Sequence, residues 1–110
     1  MAICHITLCD VRNNSLTGTT MPVPQSVAID AETITTSGTS QQSTIAASQL
    51  NIYAGASTLI WTVVSTSNIW VDFGVDPTAD AGSGWFVPAG VPMSFSVTVS
   101  AEKIAVKDAT

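Results

Sequence analysis

His5 is the only histidine of the 110-residue chain. A mechanism that needs two imidazoles is therefore excluded, and a Ser-His-Asp triad has one candidate base, on a stretch that reads as the first strand. Serine is abundant, so a chance pairing with His5 carries little weight, and neither Gly-x-Ser-x-Gly nor a similar nucleophile elbow occurs. Cys4, His5 and Cys9 can be written as a metal cluster, but adjacent strand residues point apart and no fourth ligand follows at a zinc-type spacing. Asp72, Asp76 and Asp80 recur every four residues around a turn without the ligand order or closing glutamate of a calcium loop. They read as turn carboxylates capping backbone amides. The eight acidic residues offer many carboxylate pairs of the kind glycoside hydrolysis needs, and the sequence selects none. Gly82 and Gly84 lead into Trp85, not into the lysine and hydroxyl residue of a phosphate loop. The expectation is a protein that is not an enzyme, with no catalytic residue, no metal and no cofactor.

Binding chemistry is better represented. Tyr53, Trp61, Trp70 and Trp85 are large rings for so short a chain, and such rings serve both cores and interface hot spots. Trp70 stands apart: it alternates with Ile69, Val71 and Phe73, so if those three build the core it faces outward, toward a partner or a sugar. The run TTSGTSQQSTIAASQ is almost free of charge, which suits a solvent loop and also a surface that meets another protein. Thr39, Ser40, Gln41, Gln42, Trp70 and Trp85 are the candidate interface residues.

The rest of the composition narrows the partners. Three basic residues stand against eight acidic ones, a formal net charge of −5, so the chain lacks the cationic footprint that displaces counterions from phosphates. Nucleic acid and an anionic membrane surface are not expected partners. MAICHITLCD has no basic n-region and is polar by Asp10, so it reads as neither signal peptide nor membrane span. Cys4 and Cys9 lie about 16 Å apart on an extended strand, on opposite faces. That is too far for a disulfide, so two free thiols and synthesis in a reducing compartment are expected.

These residues must be positioned by strands. In GWFVPAGVPMSFSVTVSAEKIAVKD, Met93, Phe95, Val97 and Val99 alternate with Ser94, Ser96, Thr98 and Ser100, the pattern of a sheet with one buried and one wet face. Ile3 to Leu8 reads as a first strand, followed by a polar loop from Val11. Pro22 and Pro24 confine their segment to a sheet edge, and Val27 and Ile29 open a second strand region that runs to Thr36. Leu59–Val64 and Asn68–Phe73, separated by a TSN turn, read as a hairpin. GVDPTADAGSG is a long turn, and strands follow at Trp85–Val87, Met93–Ser100 and Lys103–Lys107. No stretch has convincing helical period, and Ile45–Leu50 could make one or two turns. Seven to eight short strands with Gly/Pro/Ser loops, in one domain spanning residues 1–110, predict an all-β antiparallel sandwich. The Cys-Trp-Cys arrangement of immunoglobulin domains is missing, which favours a jelly roll.

One segment also carries a resemblance. NIWVDFGVDPTADAGSGWFVPAGVPMSFSVTVSAEKIAVKDA resembles the C-terminal half of short virion proteins of tailed bacteriophages. Those share, in order, a strand ending in Phe-Gly, a Pro-Thr-Ala turn, a variable Gly/Ser stretch, a Pro-Ala-Gly turn and a final strand pair ending in Ala-Val and an acid. TTSGTSQQST is similar to the Ser/Thr/Gln-rich segment upstream in such proteins. The likeness spans Glu32 to Ala109 and leaves the first thirty residues unmatched. It implies a head decoration, or cement, protein of small jelly-roll type, made in the host cytoplasm. Such a protein sits on the outer surface of the phage head, bound across major capsid protein subunits and paired with itself as a dimer or trimer. No catalytic residue comes with it. The alternatives are a carbohydrate- or receptor-binding sandwich and a structural subunit of a tail or fibre.

Overall fold

Alternation decides which side of each strand is buried, and burial assembles the strands into two layers. A computed structural model describes residues 2–14, 21–24, 26–47 and 59–109, with the backbone alone at 12–14 and 21–24. The described residues contain no helix and form nine strands. These are β1 (Ile3–Asn14), β2 (Met21–Pro24), β3 (Asp30–Thr35), β4 (Gln41–Gln42), β5 (Leu59–Ser65), β6 (Ile69–Gly74), β7 (Trp85–Val87), β8 (Met93–Ser96) and β9 (Lys103–Asp108). All pairings are antiparallel. In the first sheet β1 pairs with β5, β5 with β8, and β3 and β2 pair with successive stretches of β1. The second sheet has the order β4-β9-β6-β7.

The pairings are nested. β6 pairs with β7 in the second sheet, β5 with β8 in the first and β4 with β9 in the second again. A ribbon of concentric pairs whose successive rungs alternate between two sheets is a rolled-up β-ribbon, the jelly roll. The next rung would pair β3 with a strand after β9; β1 takes that place from the N-terminal side. Thr36 joins the two ends of the roll. Its buried hydroxyl accepts from the Ala2 N–H at 3.1 Å and meets the Asp108 carboxylate, while the Thr36 N–H donates to the Ala2 carbonyl. Asp108 and Ala109 are held in turn by the Ser37 and Asn68 carbonyls. Backbone near both ends of the described chain is thus tied down.

Cys4, Ile6 and Leu8 of β1, Leu59, Trp61 and Val63 of β5, Ile69 and Val71 of β6 and Ile104 and Val106 of β9 fill the space between the sheets. Trp61 is fully buried, and its indole N–H donates to Glu102 Oε2 at 2.8 Å. The other oxygen of Glu102 accepts from the Thr98 N–H and hydroxyl. A carboxylate buried without such donors would cost several kcal/mol; here it fastens β5 to the turn before β9. Ala101 in that turn has φ 62°, a left-handed backbone that costs an alanine about 1–2 kcal/mol. Its neighbours hold it there: the Ala101 N–H donates to Ala47 O and the Ala47 N–H to Glu102 O.

Several sequence expectations change. Leu59–Val64 and Asn68–Phe73 are strands but not a hairpin, because both edges of β5 are taken by β1 and β8 and both edges of β6 by β9 and β7. The TSN link is an arch between sheets, fastened by Thr66 N–H to Ile3 O and by the Asn68 side-chain oxygen to the Ala89 N–H. β1 does not stop at Leu8 but runs to Asn14, where β2 supplies partners for its polar end. β2, with its two prolines, is the edge segment expected. The strand from Met93 ends at Ser96, and Val99 is exposed, because the chain turns there to place Thr98 on Glu102. Gln41–Gln42 form a short strand inside the supposed loop, bringing the count to nine instead of seven or eight. Tyr53 and part of the possible helical turn at Ile45–Leu50 lie outside the described residues.

Candidate interaction surfaces

The second sheet turns Gln42, Ala105, Lys107, Trp70, Asp72 and Phe86 away from the core, since their cross-strand partners alternate with the buried row. The segment between β6 and β7 folds back over this face. Gln42 Nε2 donates to Asp76 Oδ1 at 2.7 Å and to the Pro77 carbonyl at 2.9 Å, and the Ala79 N–H donates to Ser40 Oγ. Pro77 and Ala79 are buried beneath it, as is Ala105. Lys107 reaches Asp80 at 3.9 Å, an exposed contact that adds little. Gly84 closes the segment at φ 76°, and a Cβ there would overlap the carbonyl oxygen of Val71. Trp70 stands edge to face with Phe86, ring centres 5.2 Å apart, and is half-buried.

Among the described residues no segment covers the middle of the outer face of the first sheet, although Cys9, toward one end of it, is buried. Outward positions pair across the strands: Ala31, Thr7, Thr62 and Ser94 form one row, and Thr33, His5 and Val64 the next. Thr62 and Ser94 share a hydrogen bond of 3.0 Å, and His5 Nδ1 lies 3.2 Å from Thr33 Oγ1. Ile3 and Thr35 extend the face at one end, and Ile60 and Ser96 at the other. No Asp, Glu, Lys or Arg occupies any of these positions. β-Branched and hydroxyl side chains standing on a pleated surface make a flat, neutral, partly apolar plane.

A third region lies along the side where β8 and β7, the edges of the two sheets, come together. Phe95 of β8 packs against Phe73 and Trp85 with ring centres 4.9 and 5.3 Å apart. Beside them opens a groove of about 530 Å³ lined by Phe73, Trp85, Met93, Ser94, Phe95, Ser96, Thr98 and Glu102. Trp85 is 53% exposed at its rim. Glu102 offers the groove no free charge, since it is 1% exposed and both its oxygens are bonded.

Comparison of the chain with protein-family models, curated proteins and solved structures returns no match.

The six candidate interface residues therefore rest on geometry, and they do not form one patch. Ser40 and Gln42 are spent on anchoring the segment after β6. Gln41 donates to Ser37 Oγ at 3.2 Å, and Thr39 is exposed beside it. Trp70 faces outward as expected, but Phe86 covers its edge. Trp85 lies at the groove, on the side of the second sheet opposite to Trp70. Thr7, Thr33 and Thr62 were not singled out from the sequence, and Ser94 was read only as one of the wet-face residues of its strand. Cys4 points inward and Cys9 outward, both buried and unbridged. Burial pushes the Cys4 thiol up to about 12. His5 and Cys4 project to opposite sides of the first sheet, so the two do not converge on a common ion.

Proposed function

We propose that the chain is a structural virion protein, a head decoration protein of a tailed bacteriophage. In this reading it is seated on the outer surface of the shell across adjacent major capsid protein subunits, which it holds together against the pressure of the packaged genome. The pattern from Glu32 to Ala109 supports this reading, and so does the jelly roll, but the observation that carries it is the neutral outer face of the first sheet. A plane of Thr, Ser, Val and Ile can be covered by another protein with little desolvation penalty, because no full charge loses its water. A small protein repeated over a shell also gains through the number of its contacts when each is modest. The role needs no catalytic residue and no cofactor, and it takes place where the host cytoplasm assembles the head.

Heating purified shells with and without the bound protein tests this reading. Decorated shells should hold their DNA to a higher temperature than bare ones; equal release temperatures would end the stabilising role. Recovery of the protein on tails, and not on tailless heads, would favour the tail or fibre alternative.

A further inference from the structure

Among the described residues, β8 is an edge strand without protection. Among them it pairs with β5 alone, and MSFS contains neither the charge nor the proline that natural edges use against pairing. The backbone shows which groups are open. The Val97 N–H donates to the Leu59 carbonyl at 3.0 Å, and donors alternate along a strand. Met93 and Phe95 therefore aim their N–H and C=O at β5, whereas Ser94 and Ser96 aim theirs outward. Exposed apolar side chains gather at the same place. Three of the exposed large hydrophobics among the described residues lie beside this edge: Trp85, against Phe95, and Val91 and Val99, within three residues of either end of β8.

We propose that this edge is where a second copy of the chain docks, β8 against β8 antiparallel about a two-fold axis, making one continuous sheet from the two first sheets. Residues opposite each other in an antiparallel pair point to the same side. For the inward faces to be continuous, the axis must pass between two copies of the same residue, and the registers that keep most of this four-residue strand paired centre on Ser94 or on Phe95. Centred on Ser94, the register sets Ser96 against Pro92, which has no N–H. Centred on Phe95, Ser94 and Ser96 of each copy exchange N–H···O bonds with Ser96 and Ser94 of the other. The Phe95 rings then face each other from Cα atoms about 4.5 Å apart, under the two Trp85 rings, and fill the groove.

Charge selects the second copy as occupant. With a net charge of −5, two chains repel over most of their surfaces. Asp72, Asp76 and Asp80 belong to the second sheet and its overlying segment, and Asp10, Asp30 and Glu32 to β1 and β3; Glu102 lines the groove beside β8 but is buried with both oxygens bonded, so the edge presents no exposed carboxylate to its copy. A strand of four residues is too short to hold a stable interface alone, which needs roughly 600 Å² or more per partner. The exposed Trp85 ring and valines beside it supply the remainder. This inference does not rest on the shell reading, since it concerns the chain in solution.

Sedimentation of the full chain over a range of concentrations, with amide exchange followed residue by residue, tests it. The expected particle has twice the 11.4 kDa chain mass, and the Ser94 and Ser96 amides slow as concentration rises. Ser94→Pro removes an N–H that points away from β5. It also removes the hydroxyl that bonds Thr62, so Ser94→Ala, which loses that hydroxyl and keeps the N–H, is the control: relative to it, Ser94→Pro should weaken dimerisation by about tenfold to a hundredfold. A mixture of Ser94→Cys and Ser96→Cys chains should form a disulfide between unlike chains, while neither variant links to itself, because only the unlike pair brings Cα atoms within about 7 Å. A chain of 11.4 kDa at millimolar concentration would overturn the proposal. So would fast exchange at Ser94 and Ser96 in the dimer, or a Ser94→Cys chain that links to itself.

Discussion

The two outer faces of the roll are treated in opposite ways. On the second sheet a segment of the chain itself covers the face, charged residues surround it, and its polar groups are bonded within the molecule: Gln42 to Asp76 and Pro77, Ser40 to Ala79. On the first sheet nothing in the described residues covers the row of Ala31, Thr7, Thr62 and Ser94, and no charge keeps another surface away. A face already satisfied by its own chain has little to gain from a partner. A flat neutral face of β-branched side chains gains apolar burial when covered, at about 25 cal/mol per Å², with few ions to desolvate. Among the described residues, the chain thus closes one side and leaves the middle of the other uncovered.

The largest expected effect comes from breaking the cover. Gly84→Val puts a β-branched side chain at φ 76° and drives its Cβ into the Val71 carbonyl. Either the segment or the β6–β7 pairing must shift. We expect a loss of more than about 3 kcal/mol, seen as a fall in melting temperature of more than about 10 °C. A melt within about 2 °C of the parent would mean that the cover contributes little and that the two faces differ less than described.

A gentler change sharpens the contrast. Gln42→Ala removes both anchors of the Asp76–Pro77 stretch while leaving β4 paired with β9. The expected loss is about 1–2 kcal/mol, with faster amide exchange and faster proteolysis confined to residues 75–84. Loss spread evenly over both sheets would show that the segment is part of the core and no separate cover.

Much of this arrangement is legible in the sequence. The alternation around Trp70 and in the strand from Met93 placed Ile69, Val71, Phe73, Met93, Phe95 and Val97 on the core side, with Val99 the exception, and Pro22 and Pro24 marked an edge. What escaped was the choice of partners. Leu59–Val63 and Ile69–Phe73 alternate in the same way whether they pair with each other or face each other across a sandwich. That choice is settled by β8 and β9, which return from far along the chain to occupy the edges. The role of Ser40 and Gln42 was hidden for a related reason: an uncharged polar run looks the same whether its hydroxyls and amides meet water, a partner or a loop more than thirty residues away. The neutral face was readable in each strand singly. Only the register, which sets Thr7 beside Thr62 and Thr62 beside Ser94, turns separate hydroxyls into a surface.

The smallest expected effect on stability is the one that separates folding from association. Thr7 lies in the middle of the outer face of the first sheet, with its side chain directed away from the core, so Thr7→Lys should change the unfolding free energy by no more than about 0.5 kcal/mol. The ammonium group would nevertheless have to lose its water, or find an anion, if another protein lay flat on that plane. We expect shells to take up the variant far less well than the parent chain. Ala81→Lys supplies the matched control, because Ala81 is exposed in the segment over the second sheet and the same charge there touches no surface assigned to a partner. Equal uptake of both lysine variants would remove the first sheet as the seat on the shell. Loss with Ala81→Lys alone would move that seat to the second sheet and invert the contrast between the faces.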